Sequence, residues 1–182
     1  VPPEKLRHIL EDHGPTYVKL GQIMSMRSDM LPEKYCRELT KLRTDVQPLP
    51  FKTILEIVEQ ELKRPISQVF AQIQETPAGS ASIAQVHPAI LLDGRKVVIK
   101  VQRPAIHEIM ENDIRLMRRA SGLLKLTSVG NLIDFRTIID ELWKTSQEEM
   151  DFIQEAKNCD LFYENQKDVA YVTSPQVIHE LT

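Results

Sequence analysis

Two short segments of the chain contain residues whose types and spacing could bind a phosphate group. The first is a run of very small residues, Ala78, Gly79, Ser80, Ala81 and Ser82. A backbone without bulky side chains can approach an anion and donate its N–H groups to phosphate oxygens. The second is Lys100, which lies within the apolar run 97–101 and could add a positive charge. A tight turn and a half-exposed strand lysine are the ordinary alternatives, because short motifs often match by accident.

A lysine that pairs with phosphates needs an acidic partner that orients its ammonium group and keeps it charged. Four carboxylates lie close together further along the chain: Glu148, Glu149, Asp151 and Glu155. Acidic clusters on helices usually face solvent, so this segment alone does not define a site. Lys100 lies between apolar neighbours, so we expect its aliphatic stem to be buried and its ammonium group to need one of these anions.

The apolar pattern predicts the elements that must hold these segments. Residues 1–65 show helical spacing interrupted by turn signals. Residues 83–92 and 95–102 predict two strands joined by a turn at Asp93–Gly94, which is a strong hairpin signal. This succession of helices followed by antiparallel strands predicts an α+β fold.

The last third of the chain predicts mainly long helices. Pro104 begins an amphipathic helix, and a further helix starts at Phe135 and continues towards Phe162. Two final strands are predicted at residues 169–172 and 176–181.

Composition excludes several classes of function. Hydrophobic residues make up 42% of the 182 residues and charged residues 27%, as in ordinary globular proteins. The net charge is -3 with both signs interspersed, so we expect no nucleic-acid partner. The two cysteines and five histidines lack metal-ligand spacing, so no metal site is predicted in this chain. The sequence has neither an apolar run of membrane-spanning length nor a signal peptide.

Four motifs, in this order and spacing, resemble those of the UbiB family of atypical protein-kinase-like proteins, which is tied to ubiquinone and other isoprenoid-lipid metabolism. Residues 19–22, Lys-Leu-Gly-Gln, resemble the family's Lys-x-Gly-Gln signature. Residues 78–87 resemble the small-residue loop that replaces the Gly-rich loop of ordinary kinases. Residues 97–100 resemble the strand with the phosphate-pairing lysine. Residues 149–155 resemble the family's Glu-x-Asp motif and the helix glutamate that pairs with that lysine.

The resemblance implies a kinase-like N-terminal lobe, a twisted antiparallel sheet plus helices, in residues 66–182. Residues 1–65 would form an N-terminal helical extension. ATP or ADP would bind under the loop 78–82, with Lys100 pairing with its phosphates and Glu155 holding Lys100 as the second catalytic residue. From the extension, Lys19 and Gln22 would cover the nucleotide.

The resemblance further implies that Glu149 or Asp151 is the polar partner of Lys19 and Gln22 in this cover. The chain departs from the family at Gly79 and Ser80, where alanine is frequent. It also contains no His-Arg-Asp-like catalytic loop and no Asp-Phe-Gly. We therefore expect a longer protein whose Mg²⁺ ligands and catalytic base lie beyond Thr182, and residues 1–182 alone to be inactive.

Three classes of function remain open at this point. The first is an atypical kinase or ATPase that supports ubiquinone or related isoprenoid-lipid biosynthesis, and the second is a nucleotide-dependent regulatory scaffold without phosphoryl transfer. The third is a lobe of a conventional kinase. The resemblance implies an adenine nucleotide as ligand, and lipid or quinone precursors, a membrane surface and biosynthetic proteins as further partners. It implies an intracellular protein, in mitochondria or plastids if the source is eukaryotic.

Overall fold

The structure is a computed structural model, and it describes residues 1–42, 46–124 and 134–182. The chain forms two compact units, Val1–Lys144 and Thr145–Thr182. The first unit begins with three short helices, continues through a four-stranded sheet and ends in two long helices, the second of which runs on into the second unit. The order of elements confirms the α+β fold that the sequence predicts.

Helices α1 (Pro3–Asp12), α2 (Pro15–Ser25) and α3 (Glu33–Leu39) pack together at the start of the chain. α1 and α2 both have proline in their first turn, where its missing N–H costs nothing. Their shared core contains Leu10, Leu39 and Leu42, all at most 7% exposed. The predicted helices of residues 1–42 are therefore confirmed as one small bundle.

One acidic side chain, Glu38, is held within this bundle by two basic residues. Its carboxylate accepts hydrogen bonds from Arg7 Nε at 2.9 Å and from Lys41 Nζ at 2.6 Å. The bond from Lys41, followed by that from Arg7, holds the pKa of Glu38 below its ordinary value of 4.5. A carboxyl group with a depressed pKa favours the folded state only while it stays ionised.

We expect Glu38→Gln to flatten the acid limb of the stability profile. The folded pKa of Glu38 lies below the unfolded one, so its contribution is present above about pH 4.5 and lost as the pH falls through the folded value. Urea unfolding from about pH 6 to about pH 3 measures this slope. Glu33→Gln is the control, because the Glu33 side chain is 80% exposed in its pair with Arg37. Equal slopes in the Glu38→Gln variant and the unmodified protein would contradict the assignment.

The sheet is built around one central strand, β3 (Ala84–Leu91). Along one edge, β3 pairs with β1 (Phe70–Ile73) and β2 (Gly79–Ser80); along the other it pairs with β4 (Lys96–Gln102). All three pairings are antiparallel, and the turn at Asp93–Gly94 joins β3 to β4. Gly94 has φ = 87°, a conformation that favours glycine, which explains the turn signal and confirms the predicted hairpin.

The two faces of this sheet differ in burial. On one face, Gln85, His87, Ala89 and Leu91 of β3 are all at most 4% exposed. Helix α4 (Phe51–Leu62) and a short 3₁₀ turn at Ile66–Gln68 precede β1, and the Phe51 ring lies 5.7 Å from the His87 ring on this covered face. The opposite face is the open face, formed by the alternate residues of β3 and β4: Val86, Pro88, Ile90, Lys96, Val98 and Lys100.

Two long helices, α5 (Ile106–Leu124) and α6 (Phe135–Met150), follow the sheet. Their buried contacts are made by Ile114 and Met117 from α5 with Ile139 and Leu142 from α6, against which α2 packs Tyr17, Leu20 and Ile23. A hydrogen bond also joins α2 to α5, because the fully buried Thr16 hydroxyl donates to Asp113 Oδ2 at 2.6 Å. Helix α2 is therefore fixed by both apolar and polar contacts.

The second unit corrects two expectations. The single helix predicted from Phe135 towards Phe162 is wrong, because α6 ends at Met150 and α7 (Phe152–Gln166) begins after Asp151. The Asp151 carboxylate accepts from Gln154 N at 2.8 Å, and such a cap competes with helix continuation.

The strands predicted at 169–172 and 176–181 are also wrong. Val172 N donates to Val169 O at 3.1 Å in a turn, and His179–Leu181 forms a 3₁₀ turn. Short apolar runs become strands only where another strand is placed to pair with them. Across the ranges that the structure describes, no helix is both long and apolar enough to cross a membrane.

Candidate functional site

The candidate site is a row of three residues across the open face of the sheet. Gly79 in β2 is paired with Val86 in β3, and Val86 is paired with Lys100 in β4. Directly opposed residues of antiparallel strands point to the same face, so the small-residue loop and the lysine share that face. Two strand spacings, roughly 10 Å, separate their backbones. The fold thus brings together two sequence segments that lie twenty-one residues apart.

The loop leaves free space at its glycine. A Cβ atom at Gly79 would meet no other atom within 4 Å, and the residue does not need a left-handed backbone. Alanine would therefore fit at this position, and the departure from the alanine-rich pattern has no packing cause. The open space beside Gly79 suits the close approach of a ligand group.

Part of the loop backbone is already engaged. Ala78 N donates to Val86 O, and Ala81 N donates to Ala84 O, each at 2.8 Å. Val46 N donates to Ser80 O at 3.2 Å, and Ser82 is buried with 8% exposure. The N–H groups of Ala78 and Ala81 therefore hold the hairpin, and a ligand cannot use them without breaking it.

Arg103, just beyond β4, ties this loop to the preceding segment of the chain. Its Nε donates to Ala81 O at 2.8 Å, while Nη2 donates to Ser80 Oγ at 2.7 Å and to Gln47 O at 3.1 Å. Partial burial lowers the pKa of Arg103, but guanidinium stays charged at any working pH. The planar guanidinium group carries several N–H donors, so this one side chain can bind three acceptors at once.

We expect Arg103→Gln to loosen the loop without unfolding the sheet. Hydrogen–deuterium exchange at residues 78–82 should become about tenfold faster, equivalent to about 1.4 kcal/mol, because hydrogen bonds to charged groups contribute about 1.5–3 kcal/mol and these are partly exposed. Arg95→Gln in the hairpin turn is the control, since the Arg95 side chain bonds only Asp93, two residues earlier, among the described residues. Unchanged exchange in Arg103→Gln would show that the loop does not depend on this side chain.

A buried polar network supports the row from the covered face. Gln85 Oε1 accepts from Leu49 N at 2.8 Å, so its amide nitrogen faces His87 Nε2 at 2.8 Å and donates to it. The His87 ring then carries its proton on Nδ1 and donates to Gln74 O at 2.7 Å. The buried His87 ring therefore links β3 to the segment after β1.

Lys100 corrects one expectation from the sequence. Its stem was expected to be buried between apolar neighbours, but Lys100 is exposed, and the neighbouring Val98 is 63% exposed. Along β4, the open-face residues Lys96, Val98 and Lys100 are all exposed, whereas Val97, Ile99 and Val101 on the covered face are not. Glu155, the predicted partner of Lys100, is exposed in the second unit, and the Lys100–Glu155 pair stays a prediction.

The Lys-Leu-Gly-Gln motif lies on α2. Lys19 is only 8% exposed, which excludes an ordinary solvated lysine, since buried lysines are rare unless paired. Gln22 is half-buried and its amide donates to Leu42 O at 3.3 Å. Gly21 lies against Leu42 and Leu10, so the glycine of the motif has a packing role. The predicted cover formed by Lys19 and Gln22 stays a prediction.

The acidic motif lies in the second unit, at the junction of two helices. Glu149 is in the last turn of α6, Asp151 is the N-cap of α7, and Glu155 is in the first turn of α7. All three are exposed. Asp151 already accepts a backbone hydrogen bond, so its carboxylate has a structural role besides the predicted polar one. Within the described ranges, no three His, Cys, Asp or Glu side chains are grouped to hold a metal ion.

Sequence reasoning missed Arg103, Gln85 and the Thr16–Asp113 bond. Arg103 and Gln85 make contacts with partners 22 to 56 residues away, and Thr16 bonds a residue 97 positions away. Gln85 alone carried a usable signal: a long amide side chain within a run of small and apolar residues needs buried partners.

Comparison with known proteins identifies the chain's relatives. Residues 41–182 match the family described as "ABC1 atypical kinase-like domain". The chain is 36% identical, over 98% of its length, to the "Probable protein kinase UbiB" of Marinobacter nauticus, and covers 33% of that protein. It is 38% identical, over 93% of its length, to "ACTIVITY OF BC1 COMPLEX KINASE 8, chloroplastic" of Arabidopsis thaliana, and covers 22% of it.

A solved structure supports the same relationship. The chain is similar to Rv3197 of Mycobacterium tuberculosis, solved in complex with erythromycin, with 34% identity and a TM-score of 0.60. The match covers 87% of this chain and 40% of that one. The chain spans about a fifth to two fifths of the length of the relatives named here. The α+β fold is therefore that of a kinase-like N-terminal lobe, and the chain belongs to the ABC1 family of atypical kinase-like proteins, which includes the UbiB proteins that its motifs resemble.

Proposed function

We propose that the intact protein binds ATP or ADP on the open face of the sheet, under the loop 78–82. The observation that carries this proposal is the row Gly79–Val86–Lys100, which combines open space, a small-residue loop and an exposed cation on one face. An adenine nucleotide needs an apolar surface for its base and donors for its phosphates. Val86 and Val98 supply apolar surface on this face, and Lys100 supplies the charge.

Each site residue has a defined task in this proposal. Lys100 pairs with phosphate oxygens, and Glu155 orients its ammonium group. The Arg103 contacts keep the loop backbone in place, so that loop N–H groups other than those of Ala78 and Ala81 can donate to phosphate. Mg²⁺, when bound, would neutralise phosphate charge, and its ligands would come from outside residues 1–182.

The helical extension gives the site its cover. In this proposal residues 1–65 form the extension and residues 66–182 the small lobe. Lys19 and Gln22 on α2 close the cleft, with Glu149 or Asp151 as their polar partner. A built-in cover excludes a large protein substrate, so it favours a small or lipid substrate, or regulation without transfer.

The wider role follows from the family. We propose that the whole protein supports the biosynthesis of ubiquinone or a related isoprenoid lipid, near a membrane surface and its biosynthetic proteins. The relatives named as a UbiB protein kinase and as a chloroplastic kinase support the family assignment, and the chloroplastic one supports a plastid location for a eukaryotic source. The role in isoprenoid-lipid biosynthesis and the alternative mitochondrial location rest on the resemblance of the motifs to the UbiB family. In this role the protein either transfers a phosphoryl group or acts as a nucleotide-dependent regulatory scaffold without transfer.

Nucleotide binding to the full-length protein tests the proposal. We expect Lys100→Met to raise the Kd for MgATP about tenfold, because one charge-assisted phosphate contact at an exposed site contributes about 1.4 kcal/mol. Isothermal titration calorimetry measures this change. Lys96→Met is the matched control, since Lys96 lies on the same strand and on the same exposed face.

Two further results decide the outcome. Equal effects of Lys96→Met and Lys100→Met would mean that only the general charge of β4 matters, and the proposed site would be wrong. Phosphate release by the full-length protein, measured with and without lipid vesicles, separates the enzyme from the scaffold. Binding without turnover under both conditions would favour the scaffold.

A further inference from the structure

A pocket lies between α5 and α6, and its lining residues all belong to these two helices. It has a volume of about 340 Å³, and Glu111, Ile114, Arg115, Arg118, Arg119 and Trp143 line it. The five α5 residues follow helical spacing, so they form one continuous face of that helix. The volume lies within the range of pockets that hold small molecules.

The lining combines an apolar wall with surplus positive charge. Ile114 is 2% exposed and belongs to the core between α5 and α6, and the half-buried Trp143 ring forms the other apolar part. Three guanidinium groups face one lining carboxylate, that of Glu111. Asp140, outside the lining, neutralises a second guanidinium, so at least one positive charge is left over.

The arginines differ in how they are held. Arg115 Nη2 bonds Glu111 Oε1 at 3.0 Å, and Arg118 Nη2 bonds Asp140 Oδ1 at 2.8 Å. Each of these bonds uses one of five guanidinium N–H donors, so most of the donors stay available. Arg119 makes no ion pair with any residue in the described ranges. The surplus charge therefore belongs to Arg119, beside two arginines that are already oriented.

We propose that this pocket binds a small organic anion, a phosphate or carboxylate group carried on an apolar or aromatic body. The anion pairs with Arg119 and with the free donors of Arg115 and Arg118, in the bidentate geometry that guanidinium groups favour. The body of the ligand covers Ile114 and the ring of Trp143. This site is independent of Lys100 and of the nucleotide site proposed above.

A local probe of Trp143 tests the proposal in the full-length protein labelled with 5-fluorotryptophan. The ¹⁹F resonance of Trp143 is assigned by its loss in Trp143→Phe, a change that keeps an aromatic ring at this position. Benzoate and phenyl phosphate are the carboxylate and phosphate probes. Inorganic phosphate lacks the apolar body, and benzyl alcohol lacks the charge.

We expect a saturable shift of this resonance with benzoate or phenyl phosphate, and a weaker response to inorganic phosphate and benzyl alcohol. Arg119→Gln should weaken binding about fivefold, since an exposed charge-assisted contact is partly screened by salt. Arg64→Gln, at an exposed arginine after α4, and Lys100→Met should bind like the unmodified protein. The stronger of the two anionic probes identifies the preferred head group.

Three results would overturn the proposal. The first is the lack of a saturable shift with both anionic probes. The second is equal weakening by Arg64→Gln and Arg119→Gln, which would indicate general attraction to a basic surface. The third is equal affinity for benzyl alcohol and benzoate, which would show that the pocket selects only for the apolar body.

Discussion

Replacing Gly21 by alanine is expected to destabilise the protein by about 2 kcal/mol. A Cβ atom at this position would lie 2.8 Å from Leu10 Cδ1 and would overlap Leu42 Cδ1. Both leucines are buried, together with Leu39, in the core of the α1–α3 bundle, so their side chains cannot swing into solvent. Overpacking of this kind destabilises a protein by about 1–3 kcal/mol, and the higher helix propensity of alanine offsets less than about 1 kcal/mol of that loss.

The same substitution at Gly122 is the matched control. Gly122 also lies in a helix, α5, but a Cβ atom there would meet nothing within 4 Å. Gly122→Ala should therefore stabilise the protein by about 0.5–1 kcal/mol through helix propensity alone. Urea unfolding of both variants gives the comparison. Stabilisation by Gly21→Ala would mean that the leucines repack at no cost and that the motif glycine is not required by packing.

The parts of the fold that sequence predicts well are those with local causes. The β3–β4 hairpin follows from alternating residues on both sides of Asp93–Gly94, and Gly94 adopts the positive φ that the turn needs. The N-terminal helices follow from apolar spacing and from the prolines in their first turns. Each of these signals lies within a few residues of the element it describes.

The errors arose where tertiary contacts or single polar side chains decide the outcome. The break at Asp151 depends on one carboxylate that bonds Gln154 N, within an otherwise helical pattern. The exposure of Lys100 depends on which face of β4 is covered, and apolar neighbours on the same strand do not reveal this. The strand predicted at 169–172 required a partner, whereas the structure has a turn there.

In the candidate site, too, the features with local causes could be predicted from the sequence, and those that depend on tertiary contacts could not. The sequence placed the loop directly before the first strand of the predicted hairpin and Lys100 on its second strand, because both are short motifs in local elements. It could not show that Gly79, Val86 and Lys100 form a row on the open face, since this depends on strand register. The roles of Arg103 and Gln85 depend on hydrogen bonds with Gln47 O and Leu49 N, in a segment that approaches the sheet only in the folded chain.

Gln85→Leu is expected to destabilise the protein by about 2–3 kcal/mol. The substitution removes the acceptor for Leu49 N and the donor to His87 Nε2, both at 2.8 Å, on the covered face where Gln85 is 1% exposed. Leaving a buried polar group without a partner costs about 1–3 kcal/mol, and the better hydrophobic burial of leucine offsets only part of the loss. Chemical unfolding of the variant measures the effect.

Gln72→Leu provides the matched control, because Gln72 lies on β1 of the same sheet but is exposed. We expect that variant to stay within about 0.5 kcal/mol of the unmodified protein. A second measurement, ¹⁵N NMR of the His87 ring, reports the network directly: the proton should lie on Nδ1 in the unmodified protein, and the ring signals should change in Gln85→Leu. Equal stability of Gln85→Leu and Gln72→Leu, together with unaltered His87 ring signals, would show that Gln85 does not hold the segment 46–50 against the sheet. The row Gly79–Val86–Lys100 would then be supported from the covered face by the contact between the Phe51 and His87 rings.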